Sequence, residues 1–358
     1  MRERIRRLRL PLIAAALALA CLGCLWRVHA LKDLLPSQHA AERWQGEREL
    51  DFTQLSFFMT RDHRLTREQL YAFRTDMMKK LREASLDPEA DRGLLHDAWS
   101  GLDTVKVQNG RRSGEVQVVP VGGWFFDFHP LRLVSGNYLQ PDDVMDDRVL
   151  LDEETAWLLF GGMDLAGMSF AIDGKPFVVA GVYKHDADSF SRRAEGDAMC
   201  IYMNYDAFER MFPEKAGISC YELVMADPVR GFALTAAGEK FTVKDAEIVD
   251  NSARFSPARL WALLKDRRAR VMRTGFAVYP AWENAARAAE DRAAQLFALA
   301  CVLAVLPAVL MLLWLGRLTL HGRDKLRDEI LPDARERVEE AVRVRSRRRW
   351  ERRHPEEK

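Results

Sequence analysis

Four aspartates, Asp142, Asp143, Asp146 and Asp147, stand close together, a spacing at which carboxylates can converge on a calcium ion. The run lacks the glycine and the distal glutamate of a calcium loop, so a solvated acidic turn is the competing reading. Cys21 and Cys24 have C-x-x-C spacing. They lie in an apolar run, however, where they and Cys301 read as small packing groups. Cys200 and Cys220 can bridge in an oxidising compartment or remain as buried thiols. The eight histidines are scattered singly, and each reads as a polar surface side chain. No P-loop, H-E-x-x-H or G-x-S-x-G pattern occurs. Neither catalytic residues, nor a metal, nor a cofactor are expected.

Other spacings concern packing. Ala300, Ala304 and Ala308 recur every four residues, so small side chains share one helix face and permit close approach of another helix. The same spacing also arises by chance in alanine-rich segments. Pro307 lies among them. The segments Asn251–Ser256 and Tyr279–Asn284 read as a junction where a folded domain packs onto the root of a helix. Glu283 and Arg287 form an i, i+4 pair, worth about 0.2–0.5 kcal/mol on an exposed helix.

These groups must be positioned by elements that follow from the hydropathy pattern. Leu10–Trp26 is uncharged and apolar over 17 residues, about 25 Å of helix at about 1.5 Å per residue. Ala293–Gly316 is an apolar run of 24 residues, long enough for a bilayer core of about 30 Å. With Arg27 and Val28 extending the first, the spans are expected at 10–28 and 293–316. Residues 1–28 carry six arginines and one glutamate; residues 317–358 carry 14 basic and 10 acidic groups; residues 29–316 have a net charge of −8. Arg2, Arg4, Arg6, Arg7 and Arg9 precede the first span, and Arg317, Arg323, Lys325 and Arg327 follow the second. Basic flanks stay in the cytoplasm, which places residues 1–9 and the tail 317–358 inside and 29–292 outside. The lipid bilayer is then a partner and nucleic acid is not. A cleaved signal is the alternative for the first span, since Ala18-Leu19-Ala20 precedes Cys21; a lipoprotein signal ending at Cys21 or Cys24 lacks a well-formed lipobox.

Between the spans the pattern mixes helices and strands. Residues 31–50 are expected to continue the first helix. Leu50–Met59 reads as a strand, and Thr66 to Gln69 as a capping box opening a helix with Leu70, Phe73, Met77 and Leu81 inward. Residues 103–119 read as a hairpin, with Asn109-Gly110 and Ser113-Gly114 in its connection. Leu131–Val134 and Arg148–Leu151 are strands, Asp152 caps a helix over 153–160, and Asp173-Gly174 turns a second hairpin. Residues 184–197 read as a polar loop. Strands follow at 199–203, 221–226 and 246–250, with a helix near 205–212. Ser256 caps a helix that has Pro257 at its first position. Pro280 opens a helix with no breaker before the second span; residues 281–316 would form a rod of about 54 Å. The tail reads as a helix after Pro332, ending in the basic run Arg343–Arg353.

The run from Leu131 to Val182 resembles the periplasmic core domain of MacB-like and FtsX-like ABC transporter permeases. The matching positions are Leu133, Gly136, Leu139 and Asp142; Leu159, Phe160 and Gly161; Asp164 and Gly167; and Val179, Gly181 and Val182. The resemblance implies an α+β, bilobal extracytoplasmic domain, with a strand-rich lobe at about 126–184 inserted into one formed by 45–125 and 195–280. It also implies a non-enzymatic membrane subunit of a bacterial cell membrane, acting with a separate ABC ATPase and a fuller MacB-like permease. Permeases of that family usually have four spans, and two are visible here. A membrane-anchored extracytoplasmic sensor or binding protein is the alternative.

Overall fold

Helix α1 (Arg2–Asp33) takes up the N-terminal apolar run. The computed structural model describes residues 2–186, 188–196, 198–271, 278–325 and 331–353. Arg327, Ala187, Asp197 and residues 272–277, each part of an expectation above, lie outside the described residues. The first helix does not continue to residue 50. It stops before Pro36, which cannot extend it, and α2 (Ala40–Gln45) follows, with Ala40 and Ala41 buried.

The chain then alternates. It runs through β1 (Phe52–Phe58), α3 (Arg67–Glu83), β2 (Leu95–Ser100), β3 (Asp103–Asn109), β4 (Arg112–Gly123), α4 (Phe125–Phe128), β5 (Arg132–Gly136) and β6 (Arg148–Asp152). Next come α5 (Glu153–Leu159), β7 (Ser169–Ile172), β8 (Lys175–Lys184), α6 (Ser189–Glu195), β9 (Cys200–Asn204), α7 (Tyr205–Met211) and β10 (Cys220–Ala226). The last are α8 (Phe232–Lys240), β11 (Glu247–Asp250), α9 (Pro257–Val271), α10 (Ala281–Lys325) and α11 (Leu331–Arg353).

Local chemistry accounts for most of these boundaries. The capping box of α3 is complete, with Thr66 accepting from the Gln69 amide and the Gln69 side chain returning to the Thr66 amide. Leu70, Phe73, Met77 and Leu81 are its buried face. Asp152 caps α5 by accepting from the Thr155 amide. Asp173 and Gly174, at φ 46° and 82°, make the turn between β7 and β8. In the other hairpin Asn109 pairs with Arg112, so only Gly110 and Arg111 turn and Ser113-Gly114 belong to β4. The expected loop at 184–197 contains α6. Asp188 caps it by accepting from the Phe190 and Ser191 amides, and Phe190 and Ala194 pack beside Leu35 and Ala285. Two apolar contacts per short helix are too few to show in a polar sequence. Helix α8 leaves no periodic signal in the sequence either; its inner face is Ala233, Ala236 and Ala237.

All the strands join one sheet, in the order β11-β1-β10-β2-β4-β3-β7-β8-β6-β9, with β5 beside β8 and β4 also paired to β9. Pairing is antiparallel except for β4–β9 and β6–β8. Two main cores share this sheet by strand alternation. Val116 and Val118 of β4 enter one core and Val119 and Val121 the other; Val149 and Leu151 of β6 oppose Leu150; Ile201 and Met203 of β9 oppose Tyr202. The second core therefore draws on β3, β4, β9 and α7 as well as on residues within 126–184. The larger core holds Leu55, Phe57, Phe73 and Tyr221 under α3 and α8. Burying a side chain such as Phe57 contributes about 1.5–3 kcal/mol.

The chain divides into two compact units, Trp26–Phe297, which holds the sheet, and Met1–Leu25 with Ala298–Lys358. Two helical stretches, Pro11–Asp33 and Ala281–Arg317, are long and apolar enough to cross a membrane. Helix α10 is continuous over 45 residues and passes through Pro307.

Candidate functional site

The first turns of α10 place Glu283, Arg287 and Glu290 on one helical face, at i, i+4 and i+7. Glu283 and Glu290 are only 2% and 1% exposed. Buried carboxylates require partners, and Arg254 supplies one. This residue follows β11 and is 1% exposed. Its Nη2 donates to Glu283 Oε2 at 2.7 Å and to Asn251 Oδ1 at 2.8 Å. Its Nη1 lies 3.8 Å from Glu290 Oε2.

The contacts continue into the sheet. Asn251 Nδ2 donates to Ser56 Oγ at 2.6 Å, and Ser56 Oγ donates to Glu222 Oε1 at 2.9 Å. Glu222 Oε2 pairs with His129 Nε2. The His129 ring lies 4.4 Å from that of Trp282, which returns the circuit to the first turn of α10. Helix α10 is thus seated on β1 and β10 by a closed ring of polar and aromatic contacts. Its outer side is braced by Arg287, which donates to Glu283 Oε1 at 2.6 Å and to Glu247 Oε1 at 2.9 Å and covers the Tyr279 ring at 3.8 Å. Arg259 of α9 reaches Glu290 Oε1 at 3.3 Å.

The electrostatics follow from burial against pairing. Burial disfavours the Arg287 charge, but the Glu283 and Glu247 carboxylates outweigh it and raise this guanidinium further. Burial, then the bond to Glu247, pushes the Tyr279 hydroxyl up to about 12. Burial likewise pushes the Cys220 thiol well up. Cys200 and Cys220 lie on β9 and β10 and are not bonded to each other.

Part of this site is legible in the sequence. Asn251, Arg254, Trp282 and Glu283 fall in the two segments read as a junction, and Arg287 in the i, i+4 pair with Glu283. The Glu283–Arg287 pair is a buried network rather than a surface pair. Ser56, Glu222, Glu247 and Glu290 gave no local signal, because their partners are distant in sequence. Contrary to the expectation of surface side chains, His129 and His96 are both buried. The alanines separate. Ala300 is buried, and its carbonyl accepts from Cys21 Sγ at 3.3 Å; Ala304 and Ala308 are exposed.

Two acidic clusters have local partners. In the expected acidic turn, Asp146 pairs with Arg210, Asp143 lies 4.0 Å from Arg148, and Asp143 Oδ2 accepts from the Gln140 amide. Asp152, Glu154 and His185 converge, with His185 Nε2 at 3.4 Å from both carboxylates. Both oxygens of Asp152 accept backbone amides, from Thr155 and Cys200, so its role is to fix the start of α5.

Residues 71–243 match the family model of the MacB-like periplasmic core domain. The run 131–182, on which the resemblance was drawn, lies inside that match. Among solved structures, the extracellular domain of the ABC-type transporter YknZ from Gram-positive bacteria is 13% identical. It covers 56% of this chain and 100% of its own, with a TM-score of 0.38. The periplasmic region of MacB from Actinobacillus actinomycetemcomitans is 16% identical and covers 56% of this chain and 89% of its own, with a TM-score of 0.39. No curated protein sequence matches the chain. Over residues 71–243 the chain is similar to the MacB-like periplasmic core domain.

Proposed function

We propose that this chain, with its MacB-like core domain flanked by two apolar helices, is a non-enzymatic membrane subunit of an ABC transport or mechanotransmission complex. A separate ATPase drives it and a fuller MacB-like permease pairs with it. The central domain lies outside a bacterial cell membrane and both described ends face the cytoplasm.

The observation that carries this reading is the ring Glu283–Arg254–Asn251–Ser56–Glu222–His129–Trp282. It clamps the root of a 45-residue helix onto two strands of the sheet. A helix held so firmly at one end passes a displacement to the sheet instead of absorbing it in a hinge. The sequence carries no phosphate cradle, which is why the energy source is assigned to another chain.

Purification in mild detergent with mass spectrometry of bound proteins tests the assignment. An ABC ATPase and a permease should co-purify in defined ratio. Saturable ATP hydrolysis by the isolated chain, lost on point substitution, would contradict it.

A further inference from the structure

The sheet face opposite the α10 junction carries Trp99, Tyr221 and Phe57, as the register Trp99↔Tyr221 and Phe57↔Tyr221 requires. A cleft of about 300 Å³ opens on that side, between α3, the paired ends of β2 and β4, residues 139–142 and the start of α7. Arg67, Tyr71 and Arg74 line it from α3 at i, i+4 and i+7, one stripe of the helix.

Two tryptophans in its wall are held rigidly. The Trp99 indole lies across Gly122: a Cβ there would stand 2.3 Å from its Cε2. At Gly123, with φ +64°, a Cβ would stand 2.9 Å from Cζ3 and 2.4 Å from the Asp97 carbonyl oxygen. Only a pair of glycines lets the ring occupy that place. Trp124 is fixed edge-on against Trp44 and His96, which stack on each other at 3.5 Å. Trp124 nevertheless remains 37% exposed and Tyr71 47%. Large rings that are immobilised yet open to solvent supply contact area at little entropic cost to a ligand.

The polar groups are arranged differently from those of an ionic site. Asp97, at the floor, has a side chain 2% exposed, lies 3.6 Å from Arg74 and accepts from the Tyr221 hydroxyl at 3.1 Å. Arg67 pairs with Asp206 and, at 2.8 Å, with Glu209. An anion would have to displace these carboxylates, and a cation these arginines. Guanidinium groups only donate and carboxylates only accept, so the two kinds side by side suit hydroxyl groups, which do both.

We propose that this cleft binds a neutral saccharide, its C–H face on the Trp99 and Trp124 rings and its hydroxyls on the Arg74–Asp97 pair. The inference stands apart from the partner assignment above. It is tested on the full-length chain in detergent by titration calorimetry and tryptophan fluorescence, with chitotetraose, cellotetraose and maltotetraose as probes. At least one should bind, with a fluorescence change. Trp124→Ala and Arg74→Gln should each weaken it about tenfold or more, a loss of about 1.4 kcal/mol. Trp157→Ala, an exposed tryptophan on α5 outside the cleft, should leave it unchanged. Thermal unfolding shows whether each variant is folded. Binding of none of the three sugars overturns the proposal, as does binding that folded Trp124→Ala and Arg74→Gln leave intact. Binding of inorganic phosphate that is lost in Arg74→Gln, or of putrescine that is kept in it, in place of sugar would also overturn it and make the cleft an ionic site.

Discussion

Arg254 shows how a side chain with a high desolvation cost is retained. Taking a guanidinium and two carboxylates out of water costs several kcal/mol per ion, and their attraction only offsets it when all partners are in place. Arg254→Met removes the central cation from between the buried Glu283 and Glu290, which Arg287 and Arg259 approach from the outer side. The expected loss is about 3 kcal/mol, the lower end of the range for breaking a buried pair, read as a fall in the unfolding midpoint of the full chain. Arg254→Met with Glu283→Gln should lose less than the sum of the single changes, because the charge left behind is removed. His96 supplies a pH signature. Burial first, then Arg48, lowers its imidazole from 6.5 to about 4, so it is neutral in the fold. Between pH 6.5 and about 4 the unfolded chain binds a proton that the folded chain refuses, and stability falls as pH falls. His96→Gln should have lower stability at neutral pH, through loss of the Trp44 stack, and a flatter decline over that window. Urea titrations at several pH values would show it; parallel declines in both proteins would remove His96 from the acid response. Neither histidine's burial was legible in the sequence. A lone histidine in a mixed segment has no periodicity to betray it, and Glu222, 93 positions from His129, becomes its partner only through the sheet.

At the scale of elements, what the sequence resolved is what local chemistry fixes: the Thr66 capping box, the Asp152 cap, the Asp173-Gly174 turn and the unbroken helix after Pro280. What it hid are α6 and α8, whose inner faces are a few small or isolated apolar residues, and the order of strands, which depends on pairing across long separations. Helix α10 gives the element-scale prediction. Ala300 faces Cys21 within the chain, so the part of the alanine face left for a partner is Ala304 and Ala308. Ala304→Leu places a branched side chain where another helix would approach. Val302, on a different side of the helix and 59% exposed, is the matched control. Association with the proposed permease should fall in Ala304→Leu and persist in Val302→Ala, with both proteins inserted. Equal association in the two variants would remove the alanine face from the interface.

At the scale of the whole molecule, the acidic middle and basic ends carry more functional information than any single motif. Net charge nearly cancels over the chain, at +1, so the asymmetry is visible only when the sequence is divided at its apolar runs. Those runs coincide with α1 and the apolar part of α10, and the MacB-like match at 71–243 falls wholly between them. Lysine and arginine near a span resist translocation, so both basic ends should stay inside and the sheet-bearing segment outside. Ser113 and Ser346 are exposed residues in β4 and α11, one on each side of the expected boundary. In a background with Cys200→Ser, Ser113→Cys should react with an impermeant maleimide in spheroplasts that remain sealed. Ser346→Cys should react only after the membrane is opened. Cys220 is buried in β10, and Cys21, Cys24 and Cys301 lie within the apolar runs, so the background signal should be small. Labelling of Ser346→Cys in sealed spheroplasts would place the basic tail outside. No cytoplasmic ATPase could then reach it, and the reading as an anchored extracytoplasmic binding protein would replace the transporter-subunit one.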